Sequence, residues 1–399
     1  MRPRSHLESE SSSAGQGLLL NPWEDPRGFY GFRNEGGARS GGYRDMKKQG
    51  ATDSSVLTFL SQNRVAGNAA EVRVGVSTCL LGERVRYNGK HKYDPFINER
   101  LAKHIKLVPM CPEVEIGLGT PREPLDLVLE DDGIHLRGAE TGRDFTVLMQ
   151  RYADAKAREL AQLGLCGFIF KSKSPSCGLD SVRVRSADKG ADGERSGRGL
   201  FAAAVLSTLP WLPVEESSRF QVRAHRERFL ERVFALRRLR VYLAGPITAR
   251  SLREFHSNES FLLLSQGGDG SSRLQEIVES TETAPLSKAS GRLPESLVES
   301  YGRLYLEIHG ILSGAPEDPS ARRRRQAEVL KRLAACVQGT VPDETMDETL
   351  RMIEEFDRGV IDRSVPLLRL REAAREHRLR GLAAQSFLNP FPEALAEFS

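Results

Sequence analysis

No stretch of about 18 or more uncharged apolar residues occurs in this 399-residue chain, so no membrane-spanning helix is expected. The first residues, MRPRSHLESESSSAGQG, lack the apolar core of a secretory signal, and a cytoplasmic location is expected. Charge of one sign is not in excess either. The 58 Lys and Arg against 54 Asp and Glu leave +4, too even to argue for a nucleic-acid or membrane partner. The longest basic run, Arg322-Arg323-Arg324-Arg325, falls in a helical-looking stretch and reads as a solvated helix face; an RNA contact is the weaker reading, not excluded. Cysteine is scarce. Five residues cannot make a disulfide scaffold, and in a reducing compartment loop cysteines read as metal ligands or reactive thiols.

What is present falls into three parts. Residues 1–71 are rich in Gly, Ser, Arg and Asn without a sustained period, and read as a disordered extension with a short helix around 56–62. Residues 72–240 alternate strand and helix patterns. Strands are predicted at 72–76, 106–110, 167–171 and 211–214, and helical spacing covers 96–105, 144–163 (capped by Asp144 or Thr146) and 197–209. This alternation predicts an α/β fold, a Rossmann-like and mostly parallel sheet with helices on both faces. From Phe220 onward the pattern is helical, starting with a basic amphipathic helix at 226–240. A Gly/Ser-rich break at 266–273 precedes helices at 297–312, 321–337, 345–356 and 365–378, so residues 250–399 read as an all-α domain.

In parallel sheets ligands gather beyond the carboxyl ends of the strands. Cys79, Cys111 and Cys177 each lie just past a predicted strand end, which brings all three to one sheet edge. They sit in the islands STCLLG, CPE and KSKSPSCG, where Pro and Gly keep the backbone out of helix and sheet and leave N–H groups free for cluster sulfides or an anion. Three thiolates are one short of the usual four ligands of an iron–sulfur cluster, and that shortfall leaves an open Lewis-acid position. A catalytic zinc site follows the same logic, and on residue types alone cluster and zinc both remain open. The bland alternative is three unconnected buried cysteines; their shared placement at strand ends argues against it. Cys166 and Cys336 read as core residues.

Around these islands, Glu113 is placed to act as a general base beside a metal site, or is a helix-start carboxylate. Ser172, Ser174 and Ser176 cap the next element or donate hydrogen bonds. The turn at 86–89 presents Arg86 and Asn88 to a ligand, or is a plain turn. Arg122 is an anion clamp or a salt-bridge partner.

At these islands the sequence resembles a known family. VGVSTCLLGERVRYNG, VPMCPEVEIGLGTPREP, GRDFT, FKSKSPSCG and RERFLERVF, in this order between about 72 and 235, resemble the thiouracil desulfidase (TudS) family, formerly a domain of unknown function. The resemblance implies a [4Fe–4S] cluster with one open iron on Cys79, Cys111 and Cys177, with Glu113 and a serine of the SPSC loop, Ser174 by preference, as catalytic groups. The implied reaction is hydrolytic. The open iron polarises the C=S of a thionated base or thioamide, Glu113 activates a water, and sulfur leaves as hydrosulfide. Residues 250–395 more loosely resemble the YbgA-type domain, on LREFH, FLLL and QSFLNPFP, but Ser257-Asn-Glu-Ser260 replaces the basic pair usual after Phe-His.

Two other classes compete. One is a non-catalytic metal-binding or sulfur-carrying module whose helical domain recruits a protein partner. The other is a thiol enzyme using Cys177, for which His91 and His104, on polar stretches, supply no Cys-His arrangement.

Overall fold

The computed structural model describes residues 71–186, 195–267, 270–282, 291–310 and 318–396. The extension at 1–70 and the helix expected at 56–62 lie outside them. Four short strands make a parallel sheet in the order β2-β1-β5-β8: β1 (Arg73–Ser77), β2 (Lys106–Met110), β5 (Gly167–Phe170) and β8 (Val214–Glu216). Ser77 pairs with Met110, Val76 with Ile169 and Phe170 with Glu216, so the carboxyl ends finish nearly level. Both faces are covered, as expected for a parallel sheet. Phe168 and Phe170 pack with α2 (Thr146–Gln162) and α3 (Leu200–Thr208). On the other face Val74, Val76 and Ile169 meet Phe229, Leu230 and Val233 of α5 (Arg223–Ala244). The approach of β1 to β5 requires glycine at 75, since a Cβ there would lie 2.2 Å from the Phe168 ring.

A second sheet was not foreseen. The strands β3 (Leu125–Glu130), β4 (Gly133–Gly138), β6 (Val182–Ser186) and β7 (Arg195–Gly197) make a mixed sheet in the order β4-β3-β6-β7. Its hairpin signal was legible: Leu125, Leu127 and Leu129 alternate with Asp126, Val128 and Glu130, and a tight turn at Asp131–Asp132 follows.

Several expected boundaries shift for local reasons. The last strand starts at Val214, three residues late, because Pro210 and Pro213 cannot donate to a ladder; Trp211 and Leu212 are buried in the approach instead. The helix expected at 96–105 is a π turn, Phe96–Arg100, followed by a 3-10 turn, Leu101–Lys103. Asp144 accepts the Thr146 N–H at 2.7 Å and so serves the start of α2, whereas Thr146 accepts the Leu136 N–H of β4. The break at 266–273 is shorter than expected, since a helix starts again at Gly270.

After α5 the chain is helical: α6 (Ala249–Gln266), α7 (Gly270–Ser280), α8 (Glu295–Ile308), α9 (Pro319–Val337), α10 (Asp343–Asp357), α11 (Ser364–Glu376) and the short α12 (Arg380–Ala383). Leu236, Leu239 and Leu243 of α5 share a core cluster with Tyr301 and Tyr305, so the helical part shares its packing with the α/β part. Phe391 and Leu395 return to the β1 face beside Phe229. Cys166 is buried there, as read. Cys336 is exposed, contrary to its core reading. At about 100° per residue it falls just past the edge of the buried stripe of Leu330, Leu333, Ala334 and Val337.

Candidate active site

Each cysteine is delivered by the end of a strand. After β1 the chain turns through Thr78–Leu81 and reverses at Gly82, whose φ of +93° suits glycine. Cys111 follows β2 directly and precedes the single turn α1 (Pro112–Glu115) that carries Glu113. After β5, residues 171–178 form a loop seated on the start of α3. Pro175 and Ser176 offer their carbonyls to the N–H groups of Leu200, Phe201 and Ala202, which a helix start leaves unpaired. Below that loop the buried Glu216 accepts from Leu179 N–H at 2.6 Å and from the Ser181 hydroxyl at 2.8 Å. Sequence reading passed over Glu216; its only signal was its place at a strand end.

Cys79, Cys111 and Cys177 line one cavity of about 170 Å³, with Glu113, Arg122 and Ser174 on its wall. Arg86 and Tyr87 also line it, but Asn88 does not; its side chain accepts the Lys90 N–H, so the turn reading holds for Asn88 alone. Burial raises all three thiols, Cys79 to about 11 and Cys177 well above the ordinary value. Of the cations that line the cavity, Lys171 and Arg86 favour the thiolate of Cys79, and Arg122 that of Cys111. A bound positive group would restore what burial removes, since coordination takes thiols as thiolates.

The three sulfurs do not all lie within 4.8 Å of one another; among the described residues the group that does is Glu130, Asp132 and His135. That trio clasps the β3–β4 hairpin, with His135 bonded to Asp132 at 2.8 Å and to Asp144 at 3.1 Å. Around one tetrahedral zinc, with Zn–S about 2.3 Å, sulfurs stand roughly 3.8 Å apart. At least one side of the cysteine triangle is longer than that, and the cavity exceeds the ~30 Å³ share of one water several-fold. The donor set fits a cluster better than a single ion.

Glu113 faces this cavity, its side chain 15% exposed. Its Oε2 takes Nε of Arg122 at 3.1 Å and Nη2 of the same guanidinium. Its Oε1 accepts from the Ser176 hydroxyl at 2.9 Å and, at 3.5 Å, from Ser174. Of the two readings for Arg122, the structure shows the salt-bridge partner. The serines separate as well. Ser172 and Ser174 both line the cavity, but the Ser172 hydroxyl is tied to Ser217 and Ser218 of the short α4 (Ser217–Phe220), whereas the Ser174 oxygen accepts the Cys177 N–H; Ser176 is wholly buried.

The 2-thiouracil desulfurase family model matches residues 74–217, which contain every cavity-lining residue named above. An uncharacterized protein of Bacillus subtilis (strain 168), YbbK, is 36% identical over 142 residues, 34% of this chain and 86% of that protein. The chain belongs to the 2-thiouracil desulfurase family. A second model, a protein family of unknown function (DUF1722), matches residues 312–392. Among solved structures, a [4Fe-4S]-dependent thiouracil desulfidase, TudS, is 27% identical, with a TM-score of 0.31 over 38% of this chain and 94% of that one. No helix among the described residues is long and apolar enough to cross a membrane.

Proposed function

We propose that this cavity removes sulfur from a thionated, uracil-like ring by hydrolysis, with Cys79, Cys111 and Cys177 holding a [4Fe–4S] cluster. The observation that carries this reading is a single cavity lined by three thiols, two buried and that of Cys111 half-buried, and by a carboxylate held on both oxygens. When bound, the cluster supplies an open iron as a Lewis acid for the thione sulfur.

The chain's own residues have separable tasks. Glu113 takes a proton from the water that adds to the C=S carbon; its Oε1 meets the cavity serine, while Oε2 is occupied by Arg122. Ser174 passes a proton between Oε1 and the reacting ring, for which its place on the wall suits it better than the buried Ser176. Arg86 and Lys171 favour the negative charge of the Cys79 thiolate and of the departing hydrosulfide. The atoms balance: water oxygen replaces sulfur on carbon, and sulfur leaves as hydrosulfide with one proton remaining.

Anaerobic purification and reconstitution with iron and sulfide, followed by sulfide release from 2-thiouracil, tests the proposal. Visible absorption and sulfide release above the apoprotein are expected. A chain that stays colourless after reconstitution would overturn it.

A further inference from the structure

Among the described residues Arg122 is the guanidinium bonded to Glu113, and both of its contacting nitrogens reach the same oxygen, Oε2. Its remaining terminal nitrogen, Nη1, donates to the carbonyls of Val85 at 3.0 Å and Gly119 at 2.8 Å, and its backbone N–H donates to the carbonyl of Tyr87 at 2.8 Å. The side chain is only 6% exposed. Arg122 is thus fixed by backbone carbonyls of two loops and gives both remaining nitrogens to one carboxylate oxygen.

We infer that Arg122 is a positioning residue: it holds Glu113 by Oε2 so that Oε1 is the oxygen presented to the serines and the cavity. This rests on the assignment of Glu113 as the base. The reason lies in the fork. A carboxylate gripped at one oxygen by two N–H groups in a plane cannot rotate about its terminal torsion, whereas the compact ammonium of a lysine can neither make that grip nor reach the Val85 carbonyl at the same time. Ser176, fixed at the start of α3, completes the hold from the other side at 2.9 Å.

The test is a double-mutant cycle on the reconstituted full-length chain with 2-thiouracil, using Arg122→Ala, Arg122→Lys, Glu113→Gln and Arg122→Ala/Glu113→Gln. Arg122→Ala should lower kcat by roughly 10²-fold, with KM within about threefold and the visible spectrum intact. Arg122→Lys should rescue less than a tenth of that loss, and added guanidinium should restore part of it to Arg122→Ala. The double mutant should be no slower than Glu113→Gln alone, because Arg122 acts only through that carboxylate. Multiplicative losses in the double mutant, or a kcat for Arg122→Ala near wild type, would overturn the inference. If Glu113→Gln retains full activity, the assignment of the base fails instead. If wild type leaves 2-thiouracil untouched, the proposed substrate fails, and the same cycle read by Tm decides the Arg122–Glu113 pairing: non-additive shifts support it and additive shifts remove it.

Discussion

Two sheltered carboxylates, one in each half of the molecule, make a useful comparison. Glu113 pairs with Arg122 and accepts from serines at the wall of a cavity. Glu259 pairs with Arg238 at 2.6 Å, accepts from Tyr305 at 2.7 Å and from Ser386, and is 1% exposed in the helical part. Their partners are alike: one arginine and hydroxyl donors. Access is what differs. Glu259 is sealed among α5, α8 and the 385–388 segment and holds helices in register, whereas Glu113 borders space that a substrate can enter. Buried pairing by itself marks structure as readily as chemistry; an adjoining cavity with reactive neighbours separates the two.

The comparison can be broken at several points. The largest effect is expected at the cysteines. Cys79→Ala or Cys177→Ala should abolish both visible absorption and sulfide release after reconstitution, while Cys336→Ser, on an exposed helix edge, changes neither. Glu113→Gln comes next, with a loss of about 10²–10⁴ in kcat. It should leave the spectrum in place, and retained activity in a sulfide-release assay would dismiss Glu113 as the base. The mirror experiment is Glu259→Ala, which strands Arg238 in the core. A loss of about 3–5 kcal/mol in stability is expected by denaturant titration, with kcat unchanged well below Tm; an unchanged midpoint would dissolve the contrast.

Acid should separate the halves as well. Burial holds His256 and His309 at about 4, below their ordinary 6.5. Their folded forms therefore bind fewer protons than the unfolded chain between these values. The stability they contribute is complete above pH 6.5 and is lost as pH falls to 4, roughly 3 kcal/mol for each histidine. In the α/β part Asp144 is held at about 2, opposed by burial but lowered by its bonds to Thr146 and His135, so its contribution fades only between 3.8 and 2. Melting followed by circular dichroism between pH 7 and 4 should show the helical part weakening first; His256→Gln with His309→Gln should flatten that slope. The smallest effect is that of Asp144→Ala, about 1 kcal/mol through the start of α2, without any change in sulfide release.

Legibility in the sequence followed the range of the interactions. The strands of the parallel sheet announced themselves by apolar runs, and the placement of Cys79 and Cys111 beyond strand ends needed only the rule for parallel sheets. The second sheet is less legible, because Val128 interrupts the alternation of Leu125–Glu130 and its parallel partner β6 lies far along the chain. Cys336 adjoins the buried Val337 in sequence, and only the direction in which the core lies puts it on the exposed side of its helix. The choice between Arg122 as anion clamp and as ion-pair partner could not be made from spacing, since Glu113 lies nine residues away and across a turn.

The sequence by itself determined the class of fold, the three thiol-bearing loops and the family, because periodicity, Pro and Gly punctuation and short motifs are local properties of the chain. The tertiary structure alone decided which groups share a cavity, that the three sulfurs do not all stand within 4.8 Å of one another, and that Arg122 and Ser176 grip opposite oxygens of Glu113. Those are distances between strand ends and loops far apart in the chain, set by packing across the sheet, and no local pattern encodes them.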